Sequence, residues 1–206
     1  MKPLELPPTI RTARPDEVTN PNAEILKRLK AREEATIVEG YTLQPNPEAG
    51  APFRFFSEIN IDNSRLWDLF GALVRTLPAD VCLIYGHIDD EPVYGRYMAK
   101  EEVLQKLAPY QLELTQDGFL EFGVIYQDNE QLQEVFIKRA KYVQYWGVDE
   151  APFLGVMQEA GLIQVEGLNF IDDFPLATEP LKVHRPEAGE TDEVLKSLEA
   201  RFGFGV

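Results

Sequence analysis

The chain is poor in the residues that most often build catalytic and metal centres. Its 206 residues include a single cysteine and two histidines. A single cysteine excludes an internal disulfide, and no cluster of cysteine and histidine has the spacing of a metal site. A Gly-rich phosphate loop and a Ser-His-Asp order are also missing. The sequence identifies no reaction, so we expect no catalytic residue, no metal and no cofactor.

Long apolar runs are equally scarce. No stretch approaches the roughly 20 apolar residues that cross a bilayer, and the first residues, MKPLELPPTI, lack the apolar core of a signal peptide. We therefore expect a cytoplasmic protein that does not contact a membrane. The lone Cys82 lies within the apolar stretch 81–84, which predicts a buried and unreactive thiol.

Positive charge is the third scarcity. The chain has 20 Lys and Arg against 35 Asp and Glu, a net charge of −15. Residues 1–50 hold seven basic and eight acidic side chains, so residues 51–206 hold 13 and 27, a net −14. Such a field repels nucleic acid and anionic membranes, and it speeds encounter with basic molecules. We therefore expect a basic protein partner and no nucleic acid, with the oligomeric state left open.

Proline is concentrated at the beginning of the chain. Eight of the 15 prolines fall within residues 1–52, which predicts an extended arm. The segment 23–35 is the exception, because it is rich in helix formers and places a few apolar residues on one face. We expect a Pro-rich arm with one short amphipathic helix over 1–52, a body over 53–182, and a polar linker with a C-terminal helix over 183–206.

The body opens with a clear strand and helix. Residues 53–61 alternate between apolar and polar positions, which predicts a half-buried strand. Asp62 to Ser64 offer N-cap oxygens, and Leu66, Phe70, Leu73 and Leu77 then follow at helical spacing. Trp67 lies about 100° from Leu66 on that helix, so we expect Trp67 to be buried.

The remaining segments alternate irregularly between the two-residue apolar period of a strand and the roughly 3.6-residue apolar period of a helix. We predict strands at 81–86, 94–98 and 142–146, helices over 100–107 and after Gly147, and a hairpin in which 110–114 and 119–126 flank Asp117-Gly118. This order predicts an α+β fold. It has a mixed, largely antiparallel sheet with helices packed mainly on one face, preceded by the Pro-rich arm.

Two acidic corners are the candidate functional segments. LIYGHIDDEP, residues 83–92, ends a strand with His87, Asp89, Asp90 and Glu91, which fits a turn because Asp bonds nearby backbone and Pro92 fixes its φ. His87, Asp89 and Asp90 are also the ligands that a metal-dependent hydrolase would use, and Glu58 from the neighbouring strand is an optional addition to them.

The second corner is FIDDFP, residues 170–175. Adjacent side chains on an extended chain point to opposite faces, so Asp172 and Asp173 are poorly placed to share a proton, and we expect both to be solvated between anchoring aromatics. Tyr142, Tyr145 and Trp146 fit either an aromatic cleft or the core. The partner-binding candidates are Glu58, Asp89, Asp90, Glu91, Asp172 and Asp173.

Five segments carry a resemblance to known proteins, namely EINIDNSRLWDLFGALV, CLIYGHIDDEP, DGFLEFGVIY, KYVQYWG and FIDDFP. Together they resemble an uncharacterised bacterial family and, more distantly, the acidic single-domain immunity proteins that accompany polymorphic toxins. The similarity covers roughly residues 53–182 and rests on strand aromatics, acidic corners and charge. It implies a compact α+β inhibitor that blocks a basic toxin domain by surface complementarity, without catalysis or cofactor.

Three functions remain open on the sequence alone. The charge and the resemblance favour a non-catalytic acidic module that binds a basic protein. In the form that the resemblance implies, this module is an immunity-type inhibitor and its partner is a basic toxin domain. The alternatives are a metal-dependent hydrolase using His87, Asp89 and Asp90, and a structural subunit of an oligomer.

Overall fold

The computed structural model describes residues 2–203. Its strands are β1 Ile10–Thr12, β2 Gly40–Tyr41, β3 Gln44–Pro45, β4 Phe55–Asn60, β5 Asp80–His87, β6 Val93–Ala99, β7 Leu120–Gln127, β8 Leu132–Ile137, β9 Val143–Gly147 and β10 Leu176–Thr178. Its α-helices are α1 Ala23–Glu34, α2 Leu66–Thr76, α3 Lys100–Leu107, α4 Gln111–Gln116, α5 Glu150–Glu159, α6 Leu181–His184 and α7 Thr191–Phe202.

A large sheet organises the fold. Within residues 2–203 it contains eight strands in the order β2-β4-β9-β8-β7-β5-β6, with β3 also paired to β4. All these strand pairs are antiparallel, and parallel pairing in the described chain is limited to one isolated bridge between Tyr41 and Gln164. The predicted α+β fold with a largely antiparallel sheet is confirmed.

The main core lies between the sheet and helices on one of its faces. Helix α2 contributes Leu66, Phe70 and Leu73, all with no exposed surface, because they recur at the helical period that the sequence shows. The helices α3, α5 and α7 add further side chains to the same cluster. Full burial of an aromatic such as Phe122 on β7 stabilises the fold by several kcal/mol, about 3 to 5 on the scale of truncation to alanine.

The hairpin predicted around Asp117-Gly118 is wrong. Residues 111–116 form helix α4, which follows directly from a 3-10 turn at Ala108–Tyr110 with Pro109 in its first turn, where proline is tolerated. Asp117 then joins a helix to β7 instead of two strands. Its buried carboxylate accepts hydrogen bonds from the Phe119 amide at 2.9 Å and the Thr191 hydroxyl at 2.7 Å.

Strand β8 was not among the predicted strands, yet it lies near the middle of the sheet between β7 and β9. Its side chains alternate in burial, with Gln133, Val135 and Ile137 buried on the helix-covered face. The opposite face of this strand presents Leu132, Glu134 and Phe136, which are partly buried.

The prediction that Trp67 is buried is also wrong. The side chain is only partly buried on α2, with its ring 5.7 Å from that of Phe70. It lies one step off the buried stripe and lines a cavity of about 520 Å³ between α2 and α3, together with Arg75 and Glu101. Cys82, by contrast, is buried as predicted, and burial raises the pKa of its thiol.

Asp62 does not act as the helix N-cap that the sequence suggested. Its carboxylate makes no capping bond to the 3-10 turn at Asn63–Arg65. It accepts hydrogen bonds from the Glu5 amide at 2.7 Å and the Lys2 ammonium at 3.0 Å. Burial opposes its ionisation, but these donors prevail and lower the pKa of Asp62. The side chain therefore holds the beginning of the arm against the body.

The arm takes part in a second hydrophobic cluster. Ile10, Ile37 and Val38 pack with Tyr142 and with the segment 168–174. Strand β1 pairs with β10 in a separate two-stranded ribbon, with Ile10 opposite Thr178. Helix α1 forms where the sequence predicts it, but none of its side chains is buried.

No helix within residues 2–203 has both the length and the apolar character needed to span a membrane.

Candidate partner-binding surface

One face of the sheet lies opposite the main core that the helices α2, α3, α5 and α7 build, and we call this the open face. Its central residues Cys82, Ile84 and Ile125 are buried, whereas Tyr94 and Tyr97 at its edge are exposed. Strand register aligns its side chains in two rows that cross six strands. The first row is Phe56, Trp146, Glu134, Ile125, Cys82 and Tyr97. The second row is Glu58, Gln144, Phe136, Gly123, Ile84 and Tyr94. Directly opposite residues in neighbouring strands have Cβ atoms about 4.5–5.5 Å apart, so each row is a line of contacting side chains.

Aromatic side chains dominate the open face. The rings of Phe56 and Trp146 lie 4.8 Å apart at one side, and both are partly buried. At the other side, Tyr94 and Tyr97 on the edge strand β6 are 53% and 49% exposed. Exposed tyrosine side chains of this kind are typical of protein interfaces, because they offer a large contact area with few rotatable bonds.

Phe136 occupies the space left by a glycine in the second row. A Cβ atom on Gly123 would lie 2.7 Å from the Phe136 ring and 2.4 Å from the Val135 carbonyl oxygen, so β7 and β8 require glycine at this position. The ammonium of Lys138 lies 5.4 Å from the centre of the Phe136 ring and 2.9 Å from a carboxylate oxygen of Glu121. This arrangement combines a cation–π contact with an ion pair.

Glu134 is the charged side chain of the first row. Trp146 and Ile125 are its cross-strand neighbours, and Leu132 and Phe136 flank it along β8. It makes no hydrogen bond or ion pair with another described residue. Burial among these apolar groups raises its pKa from 4.5 to about 7. The open face thus holds a carboxyl group that titrates near neutral pH.

Three of the predicted acidic candidates meet at the end of the open face where segment 168–174 covers it. Gln144 donates a hydrogen bond to Glu58 at 3.1 Å. Tyr142 lies beside Asp172, and the pKa of its phenol is raised by burial first and then by the carboxylates of Asp172, Glu58 and Asp173. The structure therefore brings Glu58, Asp172 and Asp173 into one neighbourhood around Tyr142.

The two adjacent aspartates of this segment differ in environment. Asp173 is exposed, and its carboxylate accepts a hydrogen bond from the Phe170 amide at 2.7 Å. Asp172 is partly buried, so the expectation that both are solvated is wrong for Asp172, whose pKa is raised mainly by burial. The aromatic anchors Phe170 and Phe174 are buried as expected.

The acidic segment after β5 is a turn, as predicted. The Asp90 amide donates to the His87 carbonyl at 3.0 Å, and Asp89, Asp90 and Glu91 are exposed. The His87 ring stacks on Phe119 with ring centres 5.8 Å apart and keeps 26% of its side chain exposed. These three acidic candidates lie apart from the group around Tyr142.

The hydrolase alternative used His87, Asp89 and Asp90, with Glu58 as an additional ligand from a neighbouring strand, but the sheet separates Glu58 from His87. Glu58 is on β4 and His87 on β5, with β9, β8 and β7 between these strands. Four strand spacings separate them by roughly 19 Å across the sheet, and His87 is displaced along its strand as well. Among residues 2–203, no group of three His, Cys, Asp or Glu side chains is arranged to hold a metal ion. Glu58 therefore takes no part in a site at the His87 turn.

The residues that sequence reasoning missed belong to the centre of the open face. Glu134 and Phe136 lie on the strand that was not predicted. Trp146 was weighed as cleft or core together with Tyr142 and Tyr145. The structure divides this group, because Tyr145 is buried in the main core whereas Trp146 faces outward beside Glu134. The alternation in LQEVFI is the signal that could have found the strand.

Comparisons with known proteins add no relative. No protein-family model, no curated protein and no solved structure matches this chain.

Proposed function

We propose that this protein is a non-catalytic module that binds a basic protein, and that the open face is its binding surface. The observation that carries the proposal is the composition of the open face, where aromatic rings lie in the same rows as the carboxyl groups of Glu58 and Glu134. Tyr94, Tyr97 and Trp146 supply apolar contact area, and Glu58 and Glu134 supply negative charge.

Physical arguments support this assignment. Large aromatic side chains that remain exposed on a sheet, here Tyr94 and Tyr97, are costly in water and are retained where a partner covers them. The excess of acidic residues over 51–206 favours a partner of opposite charge, since complementary fields raise the association rate and disfavour wrong partners. Neither argument requires a reaction.

The finer form of the proposal is an immunity-type inhibitor of a basic toxin domain in the cytoplasm. Its support is the resemblance of residues 53–182 to acidic immunity proteins, together with the charge. Such an inhibitor acts by covering its target. The exposed acidic turn at Asp89 to Glu91 lies outside the two rows and would serve as a steering charge rather than a contact.

The test begins with capture from a lysate of the source cells at low salt, followed by purification of each captured protein and calorimetry. We expect a basic protein whose association rate falls steeply with added salt. A double variant, Tyr94→Ala with Tyr97→Ala, should weaken its binding at least tenfold, because exposed aromatic side chains are the usual energetic centres of interfaces.

The matched control is Val183→Ala, which shortens an apolar side chain that is 69% exposed and lies on helix α6, away from the two rows. This variant should bind like the wild type. The proposal is wrong if the captured partners are acidic, or if the double tyrosine variant binds with unchanged affinity while its melting temperature is unaltered.

A second candidate function is a structural subunit of an oligomer. Strand β6 lies at the edge of the sheet and exposes Val93, Tyr94 and Tyr97, and such an edge can pair with another strand. Light scattering discriminates the two functions. A mass that stays dimeric on dilution and becomes monomeric in the double tyrosine variant would favour the oligomer.

A further inference from the structure

The centre of the open face holds the carboxyl group of Glu134, which has no ion-pair partner among residues 2–203. Glu134 is flanked across the strands by Trp146 and Ile125 and along its own strand by Leu132 and Phe136. An unpaired carboxylate in such surroundings is unfavourable, because the apolar neighbours displace water and offer no hydrogen-bond donor. A cation placed beside this carboxylate would complete an ion pair and remove the unfavourable charge.

The same face contains a completed version of this arrangement. Around Phe136, the chain supplies both the cation and the carboxylate, because the Lys138 ammonium lies over the ring at 5.4 Å and bonds Glu121 at 2.9 Å. Beside Trp146 the chain supplies the ring and the carboxylate of Glu134, but within residues 2–203 no cation is paired with them. The missing component is a positively charged group.

We infer that Trp146 and Glu134 form a socket for an arginine or lysine side chain of the basic protein partner. The inference rests on the proposed function and names the central contact of that interface. A guanidinium can lie flat against an indole while two of its N–H groups donate to the carboxylate, which suits arginine better than lysine. Phe56, whose ring centre lies 4.8 Å from that of Trp146 with the two planes at 45°, extends the apolar wall for the stem of the incoming side chain.

The test uses a defined probe and a protein with one reporter. The chain has two tryptophans, so Trp67→Phe leaves Trp146 as the source of the fluorescence signal. This protein is titrated at pH 8 with N-acetyl-arginine-N-methylamide and, separately, with the citrulline analogue, which has the same shape without the charge. We expect saturable quenching by the arginine probe with a millimolar Kd, and binding of the citrulline probe that is about tenfold weaker.

Variants then assign the contact. Glu134→Gln keeps the shape of the side chain and removes its charge, so it should bring the two probes to equal affinity. Glu130→Gln is the matched control, because it makes the same chemical change four residues earlier at an exposed position. It should leave the preference for arginine unchanged. Amide NMR spectra of both variants establish that the fold is intact.

The outcomes separate this inference from the proposed function. Equal binding of the arginine and citrulline probes to the wild type, or an arginine preference that survives Glu134→Gln, overturns the socket. In that case a basic partner whose affinity depends on Tyr94 and Tyr97 still supports the open face as the interface. Arginine binding that Glu134→Gln abolishes, with no basic partner captured, supports the socket and counts against the proposed function.

Discussion

The Glu134→Gln variant should be more stable than the wild type at alkaline pH and not at acid pH. Burial raises the pKa of Glu134 in the folded protein from 4.5 to about 7. A carboxyl group with a raised folded pKa binds its proton more tightly in the folded state than in the unfolded state. The contribution of Glu134 to the free energy of unfolding of the wild type therefore falls as the pH rises from 4.5, and this loss is complete above about 7.

The magnitude follows from the two pKa values. Each pH unit between them corresponds to about 1.4 kcal/mol, so ionised Glu134 costs the folded protein up to about 3 kcal/mol at pH 8. Glutamine removes that cost but places an amide among Trp146 and Ile125, which opposes part of the gain at every pH. The informative quantity is the change with pH in the stability difference between variant and wild type.

Urea denaturation followed by circular dichroism at pH 4, 6 and 8 measures this difference. We expect the gain of Glu134→Gln over the wild type to grow by about 2 to 3 kcal/mol between pH 4 and pH 8. Glu130→Gln, at an exposed position, should show no such growth. A stability difference for Glu134→Gln that is the same at all three pH values would refute the argument that the carboxyl group is desolvated.

Three further predictions, each checked by urea denaturation, test other parts of the structure. Lys141 is buried, and burial lowers the pKa of its ammonium to about 7, so its charged form destabilises the folded protein below that pH. The stability gained by Lys141→Met over the wild type should therefore be larger at pH 6 than at pH 10. A larger gain at pH 10 would contradict the burial. Gly123→Ala should cost roughly 1–3 kcal/mol because its Cβ would meet β8, whereas Gly155→Ala, with no atom within 4 Å, should be neutral or stabilising; equal effects would contradict the close approach. Phe70→Ala should cost roughly 3–5 kcal/mol and Trp67→Ala less than half as much, and equal losses would mean that Trp67 is buried after all.

The elements that sequence predicted well are those whose burial has a simple period. Helix α2 shows one apolar stripe and β5 is apolar almost throughout, so local composition was sufficient. Residues 110–114 misled because Tyr110, Leu112 and Leu114 alternate like a strand, although the helical turn before them continues through the segment. Trp67 misled because a position one step from the buried stripe is decided by the neighbouring helix, which the sequence does not place.

The candidate site was less predictable than the fold for a physical reason. The first row of the open face is drawn from six strands, and its members are adjacent only because of strand order and register. The sequence separates Phe56 from Trp146 by 90 positions, and no local pattern reports that their rings meet. An acidic run such as 89–91 can be recognised in the sequence because its residues are consecutive. Glu134 is a single acidic residue, and its apolar surroundings become evident only when the neighbouring strands are placed beside it.

The ribbon of β1 and β10 has a consequence for the order of folding. It joins Ile10 to Thr178, so it closes a loop of nearly the whole chain for a gain of only three residue pairs. Closing such a loop in the unfolded chain costs more conformational entropy than three residue pairs offset. The cost is small once the intervening sheet has formed and has brought the two strands together. The ribbon should therefore form last and open first. In native-state hydrogen exchange, the amides of the ribbon should exchange through a local opening. The amides of β5 and β7 should exchange only through global unfolding.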